Sequence, residues 1–197
     1  MKQFVLASWI VWSTLAAFAQ PSEQLASEQQ VVLVTELGSI VLELFPDKAP
    51  THVAKFLERV ESNFYTGTTF HRAIPHGIIQ GGDPISKNPE RFEQYGTGGL
   101  NELKLEPNDV LHLAGTLSAV QIPGQSDSAG SQFFICVTDQ PQLDGQYTAY
   151  GRVIEGLGVV ERISLLPTDD RQKLTRRVRI LKTSLQELPS PEKIPFV

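Results

Sequence analysis

Val31-Val32-Leu33-Val34-Thr35-Glu36-Leu37-Gly38-Ser39-Ile40-Val41-Leu42-Glu43-Leu44-Phe45 is the stretch that sets the architecture. Two runs rich in β-branched and aliphatic residues flank the short glycine-containing break Leu37-Gly38, a pattern that predicts a β-hairpin. Pro46-Asp47-Lys48-Ala49-Pro50 stops the second run, and Pro50 stands where a helix can open. Val53, Phe56, Leu57 and Val60 then recur at helical spacing through about Ser62, giving one apolar stripe to lay on a sheet. Farther along, β-prone runs at 68–74, 77–80, 111–120, 132–137 and 148–153 alternate with Gly-rich turns, 157–165 offers a second short helix, and 174–181 a last strand. Many short strands, two helices and no βαβ alternation predict an all-β fold: an antiparallel barrel with helices on its ends.

The composition fits one such domain. The chain has 197 residues, 41% of them hydrophobic, which suffices for a core and is too high for a disordered polymer. Seventeen basic against 22 acidic residues leave a net charge of −5, which argues against general nucleic-acid binding, since that requires a basic patch. The one cysteine, Cys136, has no partner for an internal disulfide and reads as an inert, buried packing residue.

Both ends of the chain read differently from its middle. Residues 1–19 carry one charge, Lys2, then an apolar run from Phe4 to Phe18 that ends in the small-x-small Ala17-Phe18-Ala19. This is the layout of a signal peptide with cleavage after Ala19. An uncleaved anchor is the rival reading, but a span needs roughly 20 predominantly apolar residues, and this run is shorter and contains hydroxyls. No membrane span is then expected in the mature chain. Residues 20–30 read as a polar linker, 31–185 as the domain, and 186–197, with Pro189, Pro191 and Pro195, as a loose tail. The expected destination is outside the cytoplasm, in a periplasm or the medium. Cleavage would also remove Trp9 and Trp12, the only tryptophans.

Candidate chemistry concentrates in three stretches: Thr69 to Pro84, Ala129 to Cys136, and Leu143-Asp144-Gly145-Gln146-Tyr147. A serine triad from Ser131, His71 and Asp83 has the residue types but lacks a Gly-x-Ser-x-Gly elbow. His52, His71, His76 and His112 lack the close pairing of zinc ligands. Gly96-Thr97-Gly98-Gly99 has no following Lys-Ser/Thr and reads as a turn rather than a phosphate loop.

Taken in order, Phe70-His71-Arg72 with Ile74-Pro75, then Gln80-Gly81-Gly82-Asp83, Gly130-Ser131-Gln132-Phe133-Phe134-Ile135, Leu143-Asp144-Gly145 and Tyr150-Gly151-Arg152-Val153 resemble the cyclophilin-type peptidyl-prolyl cis-trans isomerases, here in an exported bacterial form. The resemblance runs from about Val32 to Ile180. It implies a closed eight-stranded antiparallel barrel capped by two α-helices, with a shallow proline groove on its outer surface. It further implies Arg72 as the catalytic arginine, Gln80 as its support and Phe134 as the floor of the proline pocket. Phe70, His71, Ile78, Val120, Gln132, Leu143 and Tyr147 are implied in substrate binding, Tyr147 standing where many members have histidine. No metal or other cofactor is implied. The expected partners are proline-containing segments of unfolded or partly folded exported proteins, met by a monomer.

Two positions depart from the family pattern. Gln142 stands where a tryptophan is frequent, and that indole favours binding of the cyclic peptide cyclosporin, so weak inhibition is expected. Gly77 replaces a common pocket phenylalanine, leaving space for His76 to fill. These departures keep open a second function, a non-catalytic proline-peptide binding module or holdase. Residues 85–95 form a longer connection than the family often has, expected as a solvated loop or as a border of the groove, and Gln125 to Ser128 as a rim turn.

Overall fold

The computed structural model describes residues 29–187. The expected signal peptide, most of the expected linker and residues 188–197 of the expected tail lie outside the described residues. The elements are β1 (Gln29–Thr35), β2 (Gly38–Leu44), α1 (Pro50–Glu61), β3 (Thr69–Ala73), β4 (Ile78–Gly81), β5 (Thr116–Ala119), β6 (Phe133–Cys136), β7 (Ala149–Glu155), α2 (Leu157–Ser164) and β8 (Lys173–Glu187).

The predicted hairpin forms with Thr35 opposite Gly38, and Gly38 takes φ +130°, a value side chains resist. Its strands pair onward in the order β1-β2-β7-β5-β6-β4-β3-β8, which closes as β8 returns to β1; every pairing is antiparallel. Closure leaves no free sheet edge. An eight-stranded barrel has an interior just wide enough for side chains to fill it, and here it holds the main hydrophobic core. Phe56 from α1 packs there against Tyr65, Phe133 and Tyr150 at ring separations of 5.2 to 5.9 Å, and Phe70 meets Phe133 edge-on.

Several boundaries move for identifiable reasons. β1 begins at Gln29 and β8 runs to Glu187, because Gln29 and Gln30 of the expected linker pair with Glu187 and Gln186 of the expected tail. The strand expected over 111–120 is confined to Thr116–Ala119. Ahead of it, side chains rather than a ladder satisfy the backbone. Asn108 Nδ2 donates to Ala149 O, the His112 N–H to Asp144 Oδ1, and Thr116 Oγ1 to Leu111 O.

That irregular connection also caps α1. Ala49 at the N-cap offers no side-chain acceptor. Instead the Glu106 carboxylate accepts from the Thr51 and His52 N–H groups at 3.0 and 2.9 Å, and from the His52 ring. At the other end of α1, the buried Arg59 donates to Gly130 O at 3.1 Å and pairs with Glu102. The helix thereby fixes the residue that leads into Ser131-Gln132-Phe133-Phe134.

Candidate active site

Arg72 on β3 lies opposite Gln80 on β4, and Gln80 lies opposite Phe134 on β6. Directly opposed residues share a face of the sheet, so these three form one row across adjacent strands on the outside of the barrel. The spacing of eight between Arg72 and Gln80 is the hairpin register made visible in sequence.

Arg72, Gln80 and Phe134 all line one cavity of about 520 Å³, together with Ile78, Leu143 and Tyr147. Phe134 exposes only 3% of its surface. Tyr147 meets it edge-on at 5.5 Å, and the His112 ring stacks behind it at 5.9 Å, 14° from parallel. His112 is oriented in turn by Asp144, 3.0 Å from Nδ1. The pocket floor is therefore an apolar ring clamped on two sides.

The polar half of the site is a chain of amides whose direction is fixed at its far end. Gln132 Nε2 donates to the carbonyls of Gly96 and Gly98, at 3.0 and 2.7 Å. Carbonyls only accept, so Gln132 must turn Oε1 toward Gln80 Nε2, 2.9 Å away. Gln80 then presents its own Oε1 to Arg72 Nη1 at 3.2 Å. On the opposite side Arg72 Nη2 donates to Gln172 Oε1 at 2.5 Å. The guanidinium is thus held at both nitrogens. Burial pulls its pKa below the ordinary arginine value and the neighbouring Tyr147 opposes this; guanidinium stays protonated throughout the neutral range.

The glycines around this chain are demanded by close approach. A side chain on Gly130 would collide with the Gly99 carbonyl, and Ser131 N–H bonds to that same oxygen at 2.7 Å. The Gly-Thr-Gly-Gly stretch is therefore a turn that supplies acceptors to Gln132.

Val120 lines the cavity, alongside Gln121, Ile122 and Pro123. Three other expected substrate contacts do not reach it. Phe70 is fully buried in the barrel core: the register of β3 with β8 shifts between Phe70 and Arg72, and that bulge sends the two to opposite faces. His71 is buried beneath Gly96, with burial pushing its imidazole down to about 4. Gln132 stands behind Gln80 rather than on the surface.

Other expectations resolve in place. The space beside Gly77 is taken by Ile74, whose side chain would clash with any Cβ there, while His76 turns outward at φ +54°. Gln142 lines the cavity and donates to Gln140 Oε1. Residues 85–95 do not border the groove; they form two 3₁₀ turns, Pro84–Lys87 and Pro89–Gln94, docked on the start of β8. The rim turn holds itself through Ser128 Oγ, which donates to Gln125 O and accepts from the Ile122 N–H. Ser131 Oγ donates to Gly82 O, and Asp83 accepts from the Ile85 and Gly96 N–H groups, so the triad arrangement is not formed. Gln172 had no signal in the sequence; it sits in a polar turn, 100 residues beyond Arg72.

Residues 30–185 match the family model "Cyclophilin type peptidyl-prolyl cis-trans isomerase/CLD". The chain is 37% identical over 153 residues to the peptidyl-prolyl cis-trans isomerase ppi1 of Schizosaccharomyces pombe, covering 77% of this chain and 96% of that protein. It is likewise 37% identical over 152 residues to the mouse peptidyl-prolyl cis-trans isomerase-like 1, with 77% and 89% covered. Among solved structures, a cyclophilin-type isomerase of Cryptosporidium parvum, crystallised in the presence of the dipeptide Ala-Pro, superposes with a TM-score of 0.73 at 29% identity. That superposition covers 80% of this chain and 99% of the other. These relatives are eukaryotic.

Proposed function

This chain belongs to the cyclophilin-type peptidyl-prolyl cis-trans isomerase family, and we propose that it accelerates rotation about Xaa-Pro bonds in exported proteins through Arg72, Gln80 and Phe134. Rotation is slow because the nitrogen lone pair is delocalised into the carbonyl, a barrier of ~18–20 kcal/mol. In the twisted transition state that lone pair returns to nitrogen. A donor aimed at it binds the twisted form better than either planar form, and this lowers the barrier without nucleophile, proton transfer or redox chemistry.

Arg72 supplies the donor, and the amide pair on either side keeps its orientation during the reaction. Phe134 receives the proline ring, while Leu143 and Tyr147 close the wall. Val120, Ile122 and Pro123 extend the groove toward neighbouring substrate residues. An acceleration of about four to five decades corresponds to roughly 5.5–7 kcal/mol of differential stabilisation. One charge-assisted hydrogen bond in a sheltered pocket, together with orientation, is of that order.

The observation that carries this reading is the cross-strand row Arg72, Gln80, Phe134 opening onto one cavity. The assignment to exported clients rests on the sequence of residues 1–19. Exchange spectroscopy on a short Xaa-Pro peptide should show accelerated exchange with a rate nearly flat across the neutral range, since arginine does not titrate there. A steep bell-shaped profile would sink the mechanism. Binding without acceleration would select the holdase alternative. N-terminal sequencing of the chain secreted by an expressing cell should begin at Gln20; recovery of intact Met1 chains in the cytoplasm would overturn the export reading.

A further inference from the structure

We propose that Gln172 is a positioning residue for isomerisation, the second arm of a clamp that aims the Arg72 guanidinium and that is braced by the segment 84–95. This rests on the reading of Arg72 as the donor.

Gln172 occupies the turn that leads into β8, at φ +64°. A residue with a side chain is disfavoured there, and glycine or asparagine would be the ordinary occupant. The backbone of the turn does not need the glutamine side chain. Gln172 N–H donates to Asp169 O at 2.9 Å, and Gln172 O accepts from Ala73 N–H at 3.0 Å. The carboxylate of Asp169 further accepts from the Arg171 and Lys173 N–H groups. With the turn satisfied without it, the amide is directed elsewhere: Oε1 takes Arg72 Nη2 at 2.5 Å, the nitrogen that Gln80 leaves free.

Strain of this kind persists only where the surroundings hold it. Here both neighbours of Gln172 are tied to the segment 84–95. Lys173 Nζ donates to the carbonyls of Phe92 and Glu93 at 3.2 and 2.7 Å, and Arg171 pairs with Glu93 at 3.3 Å. The longer connection that failed to reach the groove therefore reaches it indirectly, through the residue next to its own contacts.

The test compares Gln172→Met, which keeps shape but removes the acceptor, with Gln172→Glu, which keeps an acceptor, and Gln172→Gly, which also relieves the positive φ. Exchange rates on an Xaa-Pro peptide and peptide affinity are measured for each, alone and combined with Arg72→Ala. Met and Gly should lower the exchange rate about 10- to 100-fold with peptide affinity unchanged, and Glu should stay within a few-fold of wild type. Gly should unfold at the wild-type temperature or above it, which separates positioning from folding. In the Arg72→Ala background the Met change should do nothing further. If Arg72→Ala is slow while Gln172→Met and Gln172→Gly run at the wild-type rate, the clamp is refuted and the Arg72 reading stands. An equal loss in both backgrounds also refutes it. If Arg72→Ala itself keeps the wild-type rate, the donor reading falls and the clamp with it.

Discussion

In the proposed mechanism Arg72 acts as a donor held in one orientation. Its two terminal nitrogens are taken by Gln80 and Gln172, and the direction of the first amide is imposed by two backbone carbonyls through Gln132. Part of this was legible: Arg72, Gln80 and Phe134 carry the family motifs, and their register explains the spacing. Gln172 was not, because nothing in Asp169-Asp170-Arg171-Gln172 distinguishes an amide aimed at the Arg72 guanidinium from one in any polar turn. Phe70 shares a motif with Arg72, and the resemblance implied it in substrate binding; it lies in the core because the register shifts between the two, an irregularity the motif does not reveal. At the open wall, Gln142 lines the cavity where an indole would offer a large apolar surface. Cyclosporin should therefore inhibit weakly, and Gln142→Trp should tighten its binding about tenfold, equivalent to about 1.4 kcal/mol. A competition titration checks this, and tight inhibition of the unmodified chain would contradict it.

Elements are positioned by side chains that come from far along the sequence. α1 was readable from its apolar stripe and Pro50, yet its cap is Glu106, 55 residues beyond Thr51, in the irregular connection that precedes the shortened strand β5. Partial burial acts to raise the Glu106 carboxyl; the His52 ring and the Thr51 and His52 amides outweigh it, so the group titrates below its ordinary 4.5. Glu106→Ala should destabilise the fold by about 1–2 kcal/mol, as loss of a helix cap does. Urea denaturation checks it: a lower midpoint with unchanged slope is expected, and an unchanged midpoint would show the cap to be idle. Because the folded-state value is depressed, this contribution is present above about 4.5 and disappears as pH falls through the lower folded-state value.

At the scale of the whole molecule, the barrel was legible because eight short strands and two helices each follow a local pattern, while the positions of the ends were not. Gln29, Gln30, Gln186 and Glu187 are polar and look like linker; only their mutual pairing makes them strand. Closure also buries imidazoles. Burial lowers His71 to about 4 and lowers His52 as well, so the fold holds both neutral where an unfolded chain would protonate them near 6.5. Both folded-state values are depressed, so stability is full above about 6.5 and declines as pH falls. His71 contributes to the decline down to about 4, by up to about 1.4 kcal/mol per pH unit, and His52 adds to it in the same direction. Unfolding midpoints across that window should show the decline, and His71→Phe should flatten part of it; a slope unchanged by that substitution would contradict the assignment.

Whether the Arg72 guanidinium drives the rotation is decided by exchange spectroscopy on one Xaa-Pro peptide with the native chain, Arg72→Lys and Arg72→Ala, with peptide affinity measured alongside. Alanine should cost about 10²–10³ in rate, lysine, charged but unable to occupy both amides, should recover little of it, and affinity should barely change. Full exchange activity in Arg72→Ala, or a loss that appears only as weaker peptide binding, would contradict the role given to Arg72.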